Sequence, residues 1–248
     1  MKRGKRACRR RAAAGAAVLV ALAAPAGVEG ARGLVIHELK SGWYCDGFGE
    51  TVIQVGDLDG DGVSDLLVGA PYHSYDVFEF DATGQAYLFS GRTGERIATL
   101  PNPLYGEQCC FPHLFGASGA ALGDIDGDGV PDFAVGVPDD PDFLWPGSVV
   151  IYSGANLTVL RELKGQASSD RFGAALAALD DVDGDGFGDL AVGAPSYYVN
   201  DSPGPPGDVY IYSSKTWEPV RTLMGTENGA RFGTSLLTAR NPLTGART

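Results

Sequence analysis

Twelve carboxylates of this chain fall in three nine-residue windows of one spacing, D-x-D-G-D-G-x-x-D. They are Asp57, Asp59, Asp61 and Asp65; Asp124, Asp126, Asp128 and Asp132; and Asp181, Asp183, Asp185 and Asp189. Two like charges about 5 Å apart at an effective dielectric near 20 repel by roughly 3 kcal/mol, so such clusters ask for a counter-ion. Positions 1, 3 and 5 set oxygens around one point, and position 9 closes the shell. The carbonyl of position 7 (Val63, Val130, Phe187) adds a further oxygen. The glycines at positions 4 and 6 permit the positive φ that so tight a wrap requires. An all-oxygen set with many protein donors suits Ca²⁺, about three ions in all; Mg²⁺ keeps its waters and Zn²⁺ prefers nitrogen or sulfur. An EF-hand needs a Glu at position 12, where this chain has Val68, Val135 and Val192. The plain alternative is a solvated Asp-Gly turn without metal; its threefold recurrence at fixed spacing argues against that.

No other chemistry stands out. His37, His73 and His113 occupy unrelated phases and read as ordinary surface or edge residues. Nucleophile-elbow, zinc-protease and phosphate-loop motifs are missing, so a catalytic role is not expected.

The elements that must hold the acidic loops are visible around them. Phe48-Gly49, Phe115-Gly116, Phe172-Gly173 and Phe232-Gly233 recur at intervals of 67, 57 and 60 residues, each of the first three opening a segment that runs through an acidic loop. Each such segment ends in an apolar stretch and Pro71, Pro138 or Pro195. A second pattern repeats in phase: residues 84–91, 147–154 and 207–214 alternate apolar with small or polar side chains, the mark of a half-buried strand. Further short strands are expected at 95–100, 157–163 and 219–223. The unit is four antiparallel strands per roughly 60 residues, a β-propeller blade, with a β-sandwich as the alternative. The fold class is therefore all-β, with three complete blades at about 48–114, 115–171 and 172–231 and a partial one at 232–248.

The 248 residues carry 31 acidic and 19 basic side chains, a net charge of −12. Seven basic residues lie in the first eleven positions, before an apolar run from Ala12 to Ala24 and a small-residue zone at Pro25-Ala26. This reads as a signal peptide over residues 1–26, with an uncleaved anchor as the alternative. Its removal leaves 12 basic against 31 acidic residues, net −19. Such an excess of acid excludes a nucleic-acid partner, and no apolar run spans a bilayer. The expected location is secreted or cell-surface, periplasmic in a Gram-negative source.

Phe-Gly, the acidic spacing and Gly69-Ala70-Pro71 or Gly193-Ala194-Pro195 together resemble the FG-GAP repeat, the blade unit of the integrin α-chain propeller. Gly136-Val137-Pro138 departs by one residue. The resemblance implies Ca²⁺ in the loop joining the first two strands of each blade, held by the twelve aspartates and the position-7 carbonyls. It also implies seven blades where this chain holds three. Residues 34–39 resemble the outer strand of a preceding blade and 232–239 the inner strand of a following one, so further blades or another chain are expected at the open edges.

Exported chains form disulfides, and Cys45 with Cys109 or Cys110 would close about 64 residues, worth roughly 4 kcal/mol; unpaired thiols are the alternative. Loops opposite the acidic ones carry Tyr72, Tyr75, Trp145, Tyr197 and Tyr198. These either bind a partner or pack over the blade ends. The function expected is a calcium-binding module for adhesion to an extracellular protein or glycan. The alternatives are part of an extracellular hydrolase or lyase, and a structural spacer.

Overall fold

The computed structural model describes residues 17–23, 34–40, 46–73, 83–100, 102–103, 113–138, 145–167, 170–196 and 204–238. Every regular element among them is a strand. Strands β1 (Ala17–Ala23) and β2 (Leu34–Lys40) pair antiparallel, from Ala17 opposite Lys40 to Ala23 opposite Leu34. Three four-stranded antiparallel meanders follow. The first is β3 (Thr51–Gly56), β4 (Asp65–Ala70), β5 (Gln85–Phe89) and β6 (Arg96–Leu100). The second is β7 (Ser118–Gly123), β8 (Asp132–Val137), β9 (Ser148–Tyr152) and β10 (Val159–Lys164). The third is β11 (Ala175–Leu179), β12 (Asp189–Ala194), β13 (Asp208–Ser213) and β14 (Pro219–Met224). These are propeller blades, with β3, β7 and β11 side by side as the inner strands.

The strands form where the sequence places apolar residues that must be covered on both faces. Every residue of β4, β8 and β12 is buried. Successive side chains point to opposite faces, so one strand serves two cores. Phe133, Val135 and Val137 of β8 pack toward the first blade with Leu67 and Leu88. Ala134, between them, packs toward the third blade with Leu190 and Val192. Leu66, Val68 and Ala70 face the other way, under Leu39 of β2 and Phe48. Strand β2 thus packs beside the first blade, while its paired strand among the described residues is β1.

Phe-Gly and Gly-x-Pro recur together because they meet across blades. Phe115 is fully buried, donates its N–H to Thr83 O at 3.1 Å and forms a parallel bridge with Gly84 of the preceding blade. Phe172 bonds Pro146 O in the same way, and Phe232 bonds Pro206 O. The next residue, Gly116, donates to Gly136 O of its own blade and lays its carbonyl against Gly69 of the one before. A Cβ on Gly69 would stand 1.9 Å from that oxygen, so only glycine fits. Gly136 and Gly193 stand against Gly173 and Gly233 in the same manner.

Two expectations need correction. Residues 232–238 are not an inner strand: they pair with no strand among the described residues, and a first strand exists only through its ladder to a second. Leu236 instead lies on the apolar face of the third blade with Ala191 and Ile211. Two of the three histidines are not surface residues either. His73 and His113 are buried, and the half-buried His37 ring places Nε2 3.2 Å from Gly91 O.

Candidate metal centre

Each acidic loop joins the first two strands of a blade: β3 to β4, β7 to β8, and β11 to β12. All three therefore lie at one rim. The glycines at positions 4 and 6 hold φ between 77° and 93° (Gly60, Gly62, Gly127, Gly129, Gly184, Gly186). No neighbour crowds the site of a Cβ at five of these, and at Gly62 only the tip of Arg92 comes within 4 Å, so it is the left-handed backbone that calls for glycine.

The four acids of a loop divide the labour. At position 1, Asp57 Oδ1 accepts from Gly60 N and Asp61 N at 2.8 and 3.0 Å, and Oδ2 accepts from Gly62 N at 2.8 Å. Asp124 and Asp181 repeat this. These bonds, led by the one from Gly186 N, hold the exposed Asp181 carboxyl below its ordinary range. At position 3, Asp59, Asp126 and Asp183 each accept one N–H from the residue two ahead. At position 5, Asp61, Asp128 and Asp185 cap the N–H groups of Val63, Val130 and Phe187, and their second oxygens face Ser90, Ser153 and Ser213.

Position 9 is different in kind. Asp65, Asp132 and Asp189 are buried at the first residue of the second strand. Asp132 Oδ2 accepts from Ile125 N at 2.8 Å and Asp126 N at 3.2 Å, and Oδ1 accepts from Gly154 N at 2.9 Å. Asp65 does the same with Leu58, Asp59 and Gly91. Burial nonetheless pushes all three carboxyls above their ordinary range. In the third blade Ser214 replaces the glycine, and Asp189 Oδ1 is buried with no hydrogen-bond partner.

Ligand oxygens of Asp57, Asp59 and Asp61 lie within 4.8 Å of one another, as do those of Asp124, Asp126 and Asp132 and those of Asp181, Asp183 and Asp189. The structure thus gathers three acids at each expected site. The fourth, position 9 in the first loop and position 5 in the other two, stands outside the group. The donor set is oxygen alone, and the orphaned oxygen of Asp189 leaves lone pairs for an ion. A hard divalent cation fits these residues.

At the opposite rim a groove is lined by Glu50, Pro71, Tyr72, Leu114, Arg171 and Arg231, among others. Tyr72 is exposed. Trp145 is half-buried and meets the His113 ring edge-on at 6.3 Å, so it covers a blade end. Tyr75, Tyr197, Tyr198 and all three candidate disulfide cysteines, Cys45, Cys109 and Cys110, lie outside the described residues.

Sequence reading missed the groups that reach the acidic rim from the turns after β5 and β13. Arg92 places Nε 3.2 Å from Asp61 Oδ2 and donates from Nη2 to Asp61 O. Lys215 Nζ donates to Asp185 O at 3.2 Å and lies 5.1 Å over the Phe187 ring. A signal was present: both occupy the same register after a repeated strand.

The FG-GAP repeat family matches at residues 51–89, 115–152 and 172–212. Integrin alpha-7 of Rattus norvegicus is 39% identical over 153 residues, covering 60% of this chain and 13% of that one. Integrin alpha-4 of Xenopus laevis is 33% identical over 153 residues, covering 59% and 14%. Integrin alpha-PS5 of Drosophila melanogaster is 34% identical over 179 residues, covering 65% and 16%. The chain thus matches about a seventh of the length of these relatives. Each of the three family matches runs over the first three strands of one blade, so the chain carries three FG-GAP repeats and is similar over them to integrin alpha chains.

Proposed function

We propose that this chain is the calcium-binding part of an exported adhesion module, non-enzymatic, with an extracellular protein or glycan as its partner. The observation that carries the reading is the convergence of three carboxylates at the same rim of three successive blades. Asp57, Asp59 and Asp61 would hold one ion, Asp124, Asp126 and Asp132 a second, and Asp181, Asp183 and Asp189 a third, with the carbonyls of Val63, Val130 and Phe187 as further donors. The ion neutralises like charges that the loop forces together, and so fixes the hairpin from which each blade starts. Partner binding belongs to the opposite rim, where Tyr72 is exposed beside Arg171 and Arg231. Export by the N-terminal segment belongs to the same reading; the apolar run then serves as a signal before cleavage, although in the intact chain its residues 17–23 pair along β2.

Calorimetric melting with and without Ca²⁺ tests the metal. A ligand at about 100 times its Kd stabilises by about 2.7 kcal/mol per site, so the melting temperature rises by several degrees on loading and falls back with EDTA. A melting temperature indifferent to both ends the reading. Glycan-array and matrix-protein binding by the loaded chain, compared with Tyr72→Ala, tests the partner face.

A further inference from the structure

The three loops share a backbone but not what stands over their rims. Two residues past Ser90, Ser153 and Ser213 the chain carries Arg92, Ala155 and Lys215. We propose that this one register position grades the three loops for divalent cation, the second being tightest, the third intermediate and the first weakest, with Arg92 acting as a built-in counter-ion. The proposal rests on the calcium reading above.

In the first loop Arg92 lies against Asp61 through both its side-chain oxygen and its carbonyl. Asp61 is one of the three acids that converge there, whereas the other two loops gather position 9 in its place. An incoming ion must share or displace the guanidinium, which stays charged at every relevant pH. In the third loop Lys215 reaches only a backbone carbonyl and rests over Phe187. It repels an ion through space without occupying a carboxylate. The exposed Ala155 brings no charge, and the second oxygen of Asp128 meets the Ser153 hydroxyl at 3.3 Å.

Titration calorimetry of the full chain with CaCl₂ at low ionic strength tests the grading. One site of the unaltered chain is expected to be weaker than the tightest by roughly tenfold, as a monovalent charge a few ångströms from a divalent ion implies. Arg92→Ala strengthens that site by about the same factor, and Ala155→Arg weakens one of the strong ones. Both changes fall on turn residues, and an unaltered far-ultraviolet circular dichroism spectrum in EDTA confirms that the fold is intact. Three equal sites in the unaltered chain, or an Arg92→Ala isotherm superimposable on it, overturns the grading while leaving the calcium reading intact. Absence of any Ca²⁺ uptake overturns both.

Discussion

At the scale of single residues, acids only a few positions apart in one loop have separable duties. Asp132 is buried and gathers three backbone N–H groups from two segments, so it ties the loop to the turn after β9. An amide there turns an NH₂ toward donors and strands at least one of them, at a cost of about 1–3 kcal/mol. Asp132→Asn is therefore expected to lower the melting temperature even in EDTA. Asp126 accepts one exposed N–H. Asp126→Asn should not lower melting in EDTA and should abolish one calcium site; equal behaviour of the two variants in EDTA would refute the division. His73 offers a pH readout. Burial holds its pKa below the ordinary 6.5, opposed by the nearby Asp46 charge. The unfolded chain then takes up a proton that the folded chain resists, so stability falls as pH drops below about 6.5. His73→Gln should flatten the melting profile between pH 6.5 and 5, and an unaltered slope would mean that His73 is not its source. The acidic spacing was legible because it recurs three times. The separate duty of position 9 was not, since spacing shows that an Asp is present but not that its strand buries it. Arg92 was hidden for another reason, being 31 residues from its partner.

At the scale of elements, the repeat is legible because each motif residue answers a contact that recurs. Gly136 packs against Gly173 O, where a Cβ would stand 2.2 Å away, and 2.0 Å from Ser118 Oγ. The first of these neighbours is backbone and cannot rotate aside. Gly136→Ala is thus expected to cost about 3 kcal/mol or more and to uncouple the second and third blades. Chemical denaturation checks it: a single transition at the unaltered midpoint would mean that the two glycines do not set the blade spacing. Ser118 adds a bond from Oγ to Gly173 O at 2.6 Å, matched in the first blade by Thr51 Oγ1 to Ala117 O at 2.7 Å. The same logic explains the misreading of residues 232–238. They begin with Phe-Gly, and Phe232 and Gly233 do dock on the preceding blade. That docking depends on the blade before, whereas strand formation depends on a second strand beside it. Sequence similarity to an inner strand reports the first and not the second.

At the scale of the whole molecule, the topology sorts charge between two ends. Antiparallel strands send every acidic loop to one rim, while Arg171 and Arg231 sit in the groove at the other. Within each described acidic loop the carboxylates are met by backbone N–H groups, and only Arg92 adds a side-chain ion pair. Backbone donors satisfy oxygens but do not cancel net charge, and residues 27–248 carry −19 by count. The ion-free chain is therefore opposed by its own field, at close range within each loop and at longer range along the rim. Mobile salt weakens the longer-range part, since the screening length falls to about 10 Å at 0.1 M. Bound Ca²⁺ lessens both parts together, three ions bringing residues 27–248 from −19 to −13. The expected result is an interaction between the two treatments: in EDTA, raising NaCl to about 0.5 M lifts the melting temperature by several degrees, whereas in saturating Ca²⁺ the same salt changes it little. Equal salt slopes with and without calcium would show that the rim charge is not what the ion relieves, and that loop geometry alone accounts for any stabilisation.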